Sequence, residues 1–194
     1  MTTNVKKVQI TQIILSNACV RRDKYGLIGV TGEAINKQIA AALNCAEKHS
    51  VDLLIFPELT IPNEPKWRNK LKKLSKENEI VVVGGSYYST KRSGDSIKVT
   101  PTSPVYVSGE EILVPKSCIS PFEDPQRKDV QFDYLNTGLQ IIANTPAGTL
   151  GVAICSDVFD SKIQREIKEN ADLDILCVPA MQKDPGTNGT VRLA

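Results

Sequence analysis

The chain has 194 residues, 41% of them hydrophobic and 24% charged, with a net charge of +2. That is enough apolar material for a single core-bearing domain spanning residues 1–194, and too little charge to imply a general attraction to nucleic acid or membranes. No run approaches the ~20 apolar residues of a membrane span, and Met1-Thr2-Thr3-Asn4-Val5-Lys6-Lys7 lacks the apolar core of a signal peptide. The cysteines are Cys19, Cys45, Cys118, Cys155 and Cys177, an odd number with no C-x-x-C pair. A disulfide framework or zinc site is therefore not expected, and a reducing cytoplasm is. There is one histidine, His49, so any Cys-His or Ser-His-Asp site must use it, and a histidine-rich metal site is excluded within this chain.

In chain order, Val8 to Leu15 is rich in β-branched residues and predicts a strand. Ser16 to Val30, with Arg21, Arg22, Asp23 and Gly26, reads as a loop with a short strand at its end. Thr31 is placed to cap a helix running from about Gly32 to His49, with Ile35, Ile39, Ala42, Leu43 and Ala46 at helical spacing. Val51 to Phe56 is a nearly continuous apolar run, the pattern of a strand buried on both faces. A loop with Pro57 and Pro62 leads to a helix from about Glu64 to Asn78, with Trp67, Leu71 and Leu74 on one face. Ile80 to Val83 is a second buried strand, ended by Gly84-Gly85. Ser89 to Asp95 reads as a charged turn, and Val105-Tyr106-Val107 and Ile112-Leu113-Val114 flank a hairpin turn. Pro115 to Asp133 reads as a long irregular segment. Leu139–Ala143 and Thr149–Ile154 predict strands joined at Pro146-Ala147-Gly148. A helix from about Asp160 to Asn170, a strand over Leu173–Pro179 and a polar, disordered tail over 182–194 complete the chain. Helices alternating with buried strands predict an α/β layered domain.

Three strands end in a reactive residue. Phe56-Pro57-Glu58 places a carboxylate, Leu113-Val114-Pro115-Lys116 an amine, and Gly151-Val152-Ala153-Ile154-Cys155-Ser156-Asp157 a thiol. Strand ends of an α/β sheet converge on one edge, where ligands bind. A carboxylate can take the proton of a thiol, and an amine can stabilise the oxyanion formed when the thiolate attacks a carbonyl or nitrile carbon. The N–H of Ser156 is a second oxyanion donor in this reading. The thiol sits where a strand meets a helix N-terminus, a position that favours the thiolate.

These segments resemble the signatures of the nitrilase (carbon–nitrogen hydrolase) superfamily. Leu71–Gly84, Thr145-Pro146-Ala147-Gly148 and Asn170–Leu176 are similar to further family segments, so the likeness covers nearly the whole chain. The resemblance implies an α-β-β-α sandwich. It also implies a Glu58-Lys116-Cys155 triad that cleaves non-peptide C–N bonds of small amides or nitriles through a thioester, with no cofactor. Glu123 is the match for a second glutamate that many members carry. Two departures stand out. The family domain normally continues beyond the strand ending at Pro179, so the sandwich expected here is C-terminally incomplete and would expose sheet edges. A homo-oligomer, or a partner chain completing the fold, follows as an expectation. The segment between Glu58 and the second helix is also short.

Each residue has a plainer reading. Cys155 alone suits core packing, Glu58 a turn, Lys116 a surface position, and Phe122-Glu123-Asp124 an acidic loop. Cys118 reads as a bystander, and Cys19, Cys45 and Cys177 as structural. His49 suits a helix C-terminus, Gly84-Gly85 a tight strand exit rather than a phosphate loop, and the lysine-rich helix over 66–76 a solvated face rather than a nucleic-acid patch. The trio together favours an enzyme. The alternative is a nitrilase-like binding or regulatory module, weakly active or inactive, within a larger polypeptide or complex.

Overall fold

Side chains along the buried strands divide by alternation into two cores. In the computed structural model, Leu54, Phe56, Val82 and Tyr106 pack with Ile35, Ile39, Trp67 and Leu71 of two helices. Their neighbours Leu53, Ile55, Val81, Val83, Val105 and Val114 turn the other way and pack against Ile142, Leu150, Val152 and Cys177 of a second sheet. That sheet's outer face, through Leu139, Ala153, Leu173 and Leu176, is covered by Ile163 and Ile167 of a third helix. The period of two along each strand thus generates an α-β-β-α sandwich. The structure describes residues 6–11, 13, 20–118, 120, 128–135 and 137–181.

The elements are β1 (Val8–Ile10), β2 (Val20–Arg22), β3 (Ile28–Val30), α1 (Glu33–His49), β4 (Leu53–Phe56), α2 (Pro65–Glu77), β5 (Val81–Gly84), β6 (Tyr87–Ser93), β7 (Ser96–Val107), β8 (Glu110–Pro115), β9 (Val130–Phe132), β10 (Gln140–Thr145), β11 (Gly148–Val152), α3 (Ser161–Glu169) and β12 (Ile175–Cys177). The large sheet runs β1-β4-β5-β7-β6, with β8 and β9 also on β7. β1, β4 and β5 are parallel. β7 pairs β6 and β9 through its first half and β5 and β8 through its second. The small sheet is β10-β11-β12, antiparallel then parallel. β2 and β3 form a separate antiparallel pair.

The helices follow their apolar periodicity. α1 buries Ile35, Ile39, Ala42 and Ala46, and α2 buries Trp67, Leu71 and Leu74. Pro65 opens α2, where a missing N–H costs nothing. Asp160 caps α3 by accepting from the N–H groups of Lys162 and Ile163. A bidentate pair from Arg68 of α2 to Glu111 of β8, joined by the Tyr106 hydroxyl at 2.8 Å, fastens the helix layer to the hairpin.

Four expectations are corrected. Thr31 does not cap α1: Gly32 holds that position at φ 112°, with no side-chain cap. The charged turn expected over Ser89–Asp95 is mostly strand, because β6 and β7 form one long hairpin whose turn is only Gly94-Asp95. Charged side chains on an exposed strand hide its alternation, and Pro101 and Pro104 disguise β7. The irregular segment after Pro115 contains β9, held parallel to β7. Cys45, expected to be structural, is exposed on α1. Cys19 and the expected tail over 182–194 lie outside the described residues. Among the described residues, no helix is long and apolar enough to cross a membrane.

Candidate active site

The three reactive residues meet where the two sheets face each other. Glu58 lies two residues past β4, Lys116 directly after β8, and Cys155 three residues past β11. Lys116 is fully buried and Glu58 is 4% exposed. The Lys116 ammonium donates to Glu58 Oε1 at 3.0 Å. The Cys155 thiol lies close enough to the same carboxylate for Glu58 to raise its pKa, and to the Met181 backbone N–H for that group to lower it. Glu58 therefore stands between the amine and the thiol.

The backbone around each residue is built to hold it. Lys116 N–H donates to the Pro101 carbonyl at 2.8 Å, which continues the β7–β8 ladder to the lysine itself. Cys155 sits at φ 49°, a left-handed conformation that a side-chain-bearing residue adopts at a cost of about 1–3 kcal/mol. Its N–H donates to the Pro179 carbonyl at 2.9 Å, just past β12. A sharp turn at a strand end lifts the thiol clear of the sheet.

The Glu58 turn is pinned from β5. Leu59, at φ 54°, donates its N–H to the buried Ser86 hydroxyl at 3.2 Å, and the Thr60 hydroxyl donates to the Pro57 carbonyl at 2.7 Å. Gly85 is at φ 70°, and a Cβ there would lie 2.3 Å from the Pro57 carbonyl oxygen. Gly84-Gly85 is thus the tight strand exit expected, and Gly85 has a second role as the floor of the Glu58 turn. Gly85→Ala is expected to cost at least about 2 kcal/mol, from the positive φ and the clash together. It should also displace Glu58, which equilibrium urea unfolding and the alkylation rate of Cys155 would each register.

The thiol is not the pre-formed thiolate expected of a helix N-terminus. Cys155 opens a single 3-10 turn, Cys155–Phe159, and α3 begins only at Ser161. Burial, with the Glu58 charge and hydrogen bond adding to it, pushes the thiol up to about 11. Lys116 and the Met181 N–H pull the other way and do not overcome it. At neutral pH the resting site therefore holds a protonated thiol beside a carboxylate, an arrangement that suits a base acting during the reaction. Cys118 is also pushed up to about 11, by burial first and then by Asp157 and Asp160.

Ser156 follows Cys155 in the turn, and its hydroxyl is buried without a hydrogen-bond partner. Glu123 lies outside the described residues. Asp157 was not anticipated as a site residue. It is 2% exposed and accepts N–H groups from the lysine turn and the cysteine turn. The signal available in the sequence was an acidic residue two positions past the thiol. A cavity of about 350 Å³ lies beyond the Glu58 turn, between the β2–β3 pair and the start of β6. Arg22, Asp23, Asn63 and Tyr87 are among its walls; Glu58, Lys116 and Cys155 are not.

Neither a protein-family model nor a curated protein sequence matches the chain. Solved structures do. A mutant amidase of the nitrilase superfamily from Nesterenkonia sp. AN1 superposes with a TM-score of 0.56 at 16% identity, over 77% of this chain and 60% of its own. Nit3 of Saccharomyces cerevisiae, a nitrilase-superfamily member, gives 0.54 at 19% identity, over 79% and 61%. The fold is that of the nitrilase superfamily. A glutamine-dependent NAD+ synthetase from Acinetobacter baumannii gives 0.52 at 18% identity, over 77% of this chain and 29% of its own. The chain therefore spans about three-fifths of the length of the amidase and Nit3 chains that it matches. In another structure of the Nesterenkonia amidase, acrylamide is added to the active-site cysteine.

Proposed function

We propose that the chain carries a carbon–nitrogen hydrolase site that cleaves a small amide or nitrile through a thioester on Cys155. The observation that carries this reading is the buried relay from Lys116 through Glu58 to Cys155 at the meeting of the two sheets. For an amide, Glu58 takes the thiol proton as the sulfur bonds to the carbonyl carbon, and the π-electron pair moves to oxygen. The Lys116 ammonium and the Ser156 N–H stabilise that oxyanion. As the C–N bond breaks, Glu58 returns the proton to the departing nitrogen, leaving a thioester. Water then gives a proton to Glu58 and bonds to the acyl carbon. The sulfur leaves with its electron pair and is reprotonated. A nitrile passes through a thioimidate at the same sulfur. Glu123 is assigned here as a second carboxylate of the site.

The direct test is incubation with a panel of short aliphatic amides and nitriles, read by ammonia release and intact mass. An acyl-sized mass increment on Cys155 with ammonia release is expected, and both should vanish in Cys155→Ala. Full turnover by Cys155→Ala would overturn the reading. A second reading, a binding or regulatory module with little hydrolysis, is favoured by the separate cavity whose walls exclude the trio. It predicts that Cys155 can be alkylated while no substrate in the panel releases ammonia.

A further inference from the structure

Lys116 and Cys155 belong to different sheets, and a flexible four-carbon stem separates the lysine ammonium from its backbone. The buried Asp157 carboxylate bridges the two turns. Its Oδ1 accepts the N–H groups of Ser117 at 3.1 Å and Cys118 at 2.8 Å, the two residues directly after Lys116. Its Oδ2 accepts the N–H of Ile154 at 3.0 Å, the residue directly before Cys155. Three donors thus converge on one side chain from both sides of the site. Burial lifts Asp157 above its ordinary 3.8, against the pull of the three N–H groups and of Lys116. No purely surface role requires such an arrangement.

We propose that Asp157 is a positioning residue that holds Lys116 in register with Cys155 by tying the backbone of the lysine turn to the backbone of the cysteine turn. The proposal rests on the catalytic reading of the trio, and deepens it by naming what sets their spacing. An amide cannot replace the carboxylate. Asn offers one acceptor oxygen, so its NH2 must face either Ile154 N–H or the Ser117 and Cys118 N–H groups. The volume stays the same and one half of the tie is lost.

The test is the pH dependence of Cys155 alkylation by iodoacetamide. It is followed by intact mass with peptide mapping, below the unfolding midpoint of each variant. Among the described residues, the side-chain charges acting on the thiol are those of Glu58 and Lys116. Once the tie is loosened, the Lys116 cation is held less firmly beside the site, so the thiol of Asp157→Asn should titrate at higher pH than wild type. The rate near pH 8 falls by about tenfold for each unit of displacement. Removing a negative charge, without moving anything, would displace the titration to lower pH. An unchanged or lowered midpoint in folded Asp157→Asn therefore overturns the proposal. Should that variant fail to fold, Asp157→Glu keeps the charge and both oxygens but misplaces them by a methylene. It must show the same upward displacement, and an unchanged midpoint there is equally fatal. Lys116→Ala separates the two levels. If it titrates like wild type, Lys116 does not act on Cys155, and the reading of the site fails together with the proposal. If it is displaced upward and folded Asp157→Asn is not, only the role of Asp157 is wrong.

Discussion

Lys116→Met is expected to lower the free energy of unfolding by about 3–5 kcal/mol, because it leaves a buried carboxylate without its cation. Lys116 is fully buried and Glu58 nearly so, so their attraction is screened far less than that of a surface pair. A surface pair would behave differently: Lys37 with Glu33 on α1 is exposed at both ends, and its loss should be worth about 1 kcal/mol or less. The comparison variant is Glu58→Gln/Lys116→Met, which removes both charges. It should recover part of the loss, giving a coupling energy well above the error of a double-mutant cycle. Urea unfolding of the four proteins checks this. Equal and additive costs would mean that the 3.0 Å pair contributes nothing specific.

Glu58→Gln is expected to push two readouts in opposite directions. Turnover of any amide that the wild type hydrolyses should fall by about 10²–10⁴-fold, the usual contribution of a general base. The thiol should meanwhile become easier to ionise. Burial is the largest cause of its displacement to about 11 and persists in the variant, but the Glu58 charge and hydrogen bond are lost. The thiol therefore comes partway down, and the thiolate fraction at any pH below the wild-type midpoint rises. Iodoacetamide alkylation of Cys155 near pH 8 should accelerate, by about tenfold for each unit of descent. Unfolding would also expose the thiol and accelerate alkylation, so both rates are read below the variant's unfolding midpoint, where slower hydrolysis with faster alkylation reports loss of the base in a folded protein. Slower alkylation in the folded variant would mean that the Glu58 charge does not hold the thiol protonated.

Much of the sandwich is legible from local pattern. α1, α2 and α3 show because an apolar stripe must recur every 3.6 residues, as Ile35 and Ile39, Trp67 and Leu71, and Ile163 and the partly buried Ile167 do. β4 and β5 show because strands buried on both faces have no polar alternation to confuse the reading. The end of β7 shows as the apolar run Val105–Val107, but β6 and the first half of β7 do not, because charged and polar side chains and Pro101 and Pro104 mask the alternation of their long hairpin. The cap of α1 is similar: Thr31 fits the rule for N-caps, yet the chain enters the helix through Gly32 at a positive φ.

The sequence by itself determined which three residues stand at strand ends. That is a local matter, an apolar run followed by a carboxylate, an amine or a thiol, and a single histidine left little to compete with them. The tertiary structure alone decided how they act on one another. The ionisation of Cys155 depends on burial and on the charges of Glu58 and Lys116, brought in by strands far apart in sequence. Its conformation is imposed by a hydrogen bond to Pro179, across the small sheet. Asp157 takes the Ile154 N–H within its own turn, but gains the Ser117 and Cys118 N–H groups only when the two sheets face each other. Burial and Coulomb interactions depend on distance in space, which local sequence pattern does not encode, so the nucleophile could be located before folding was known but not its protonation.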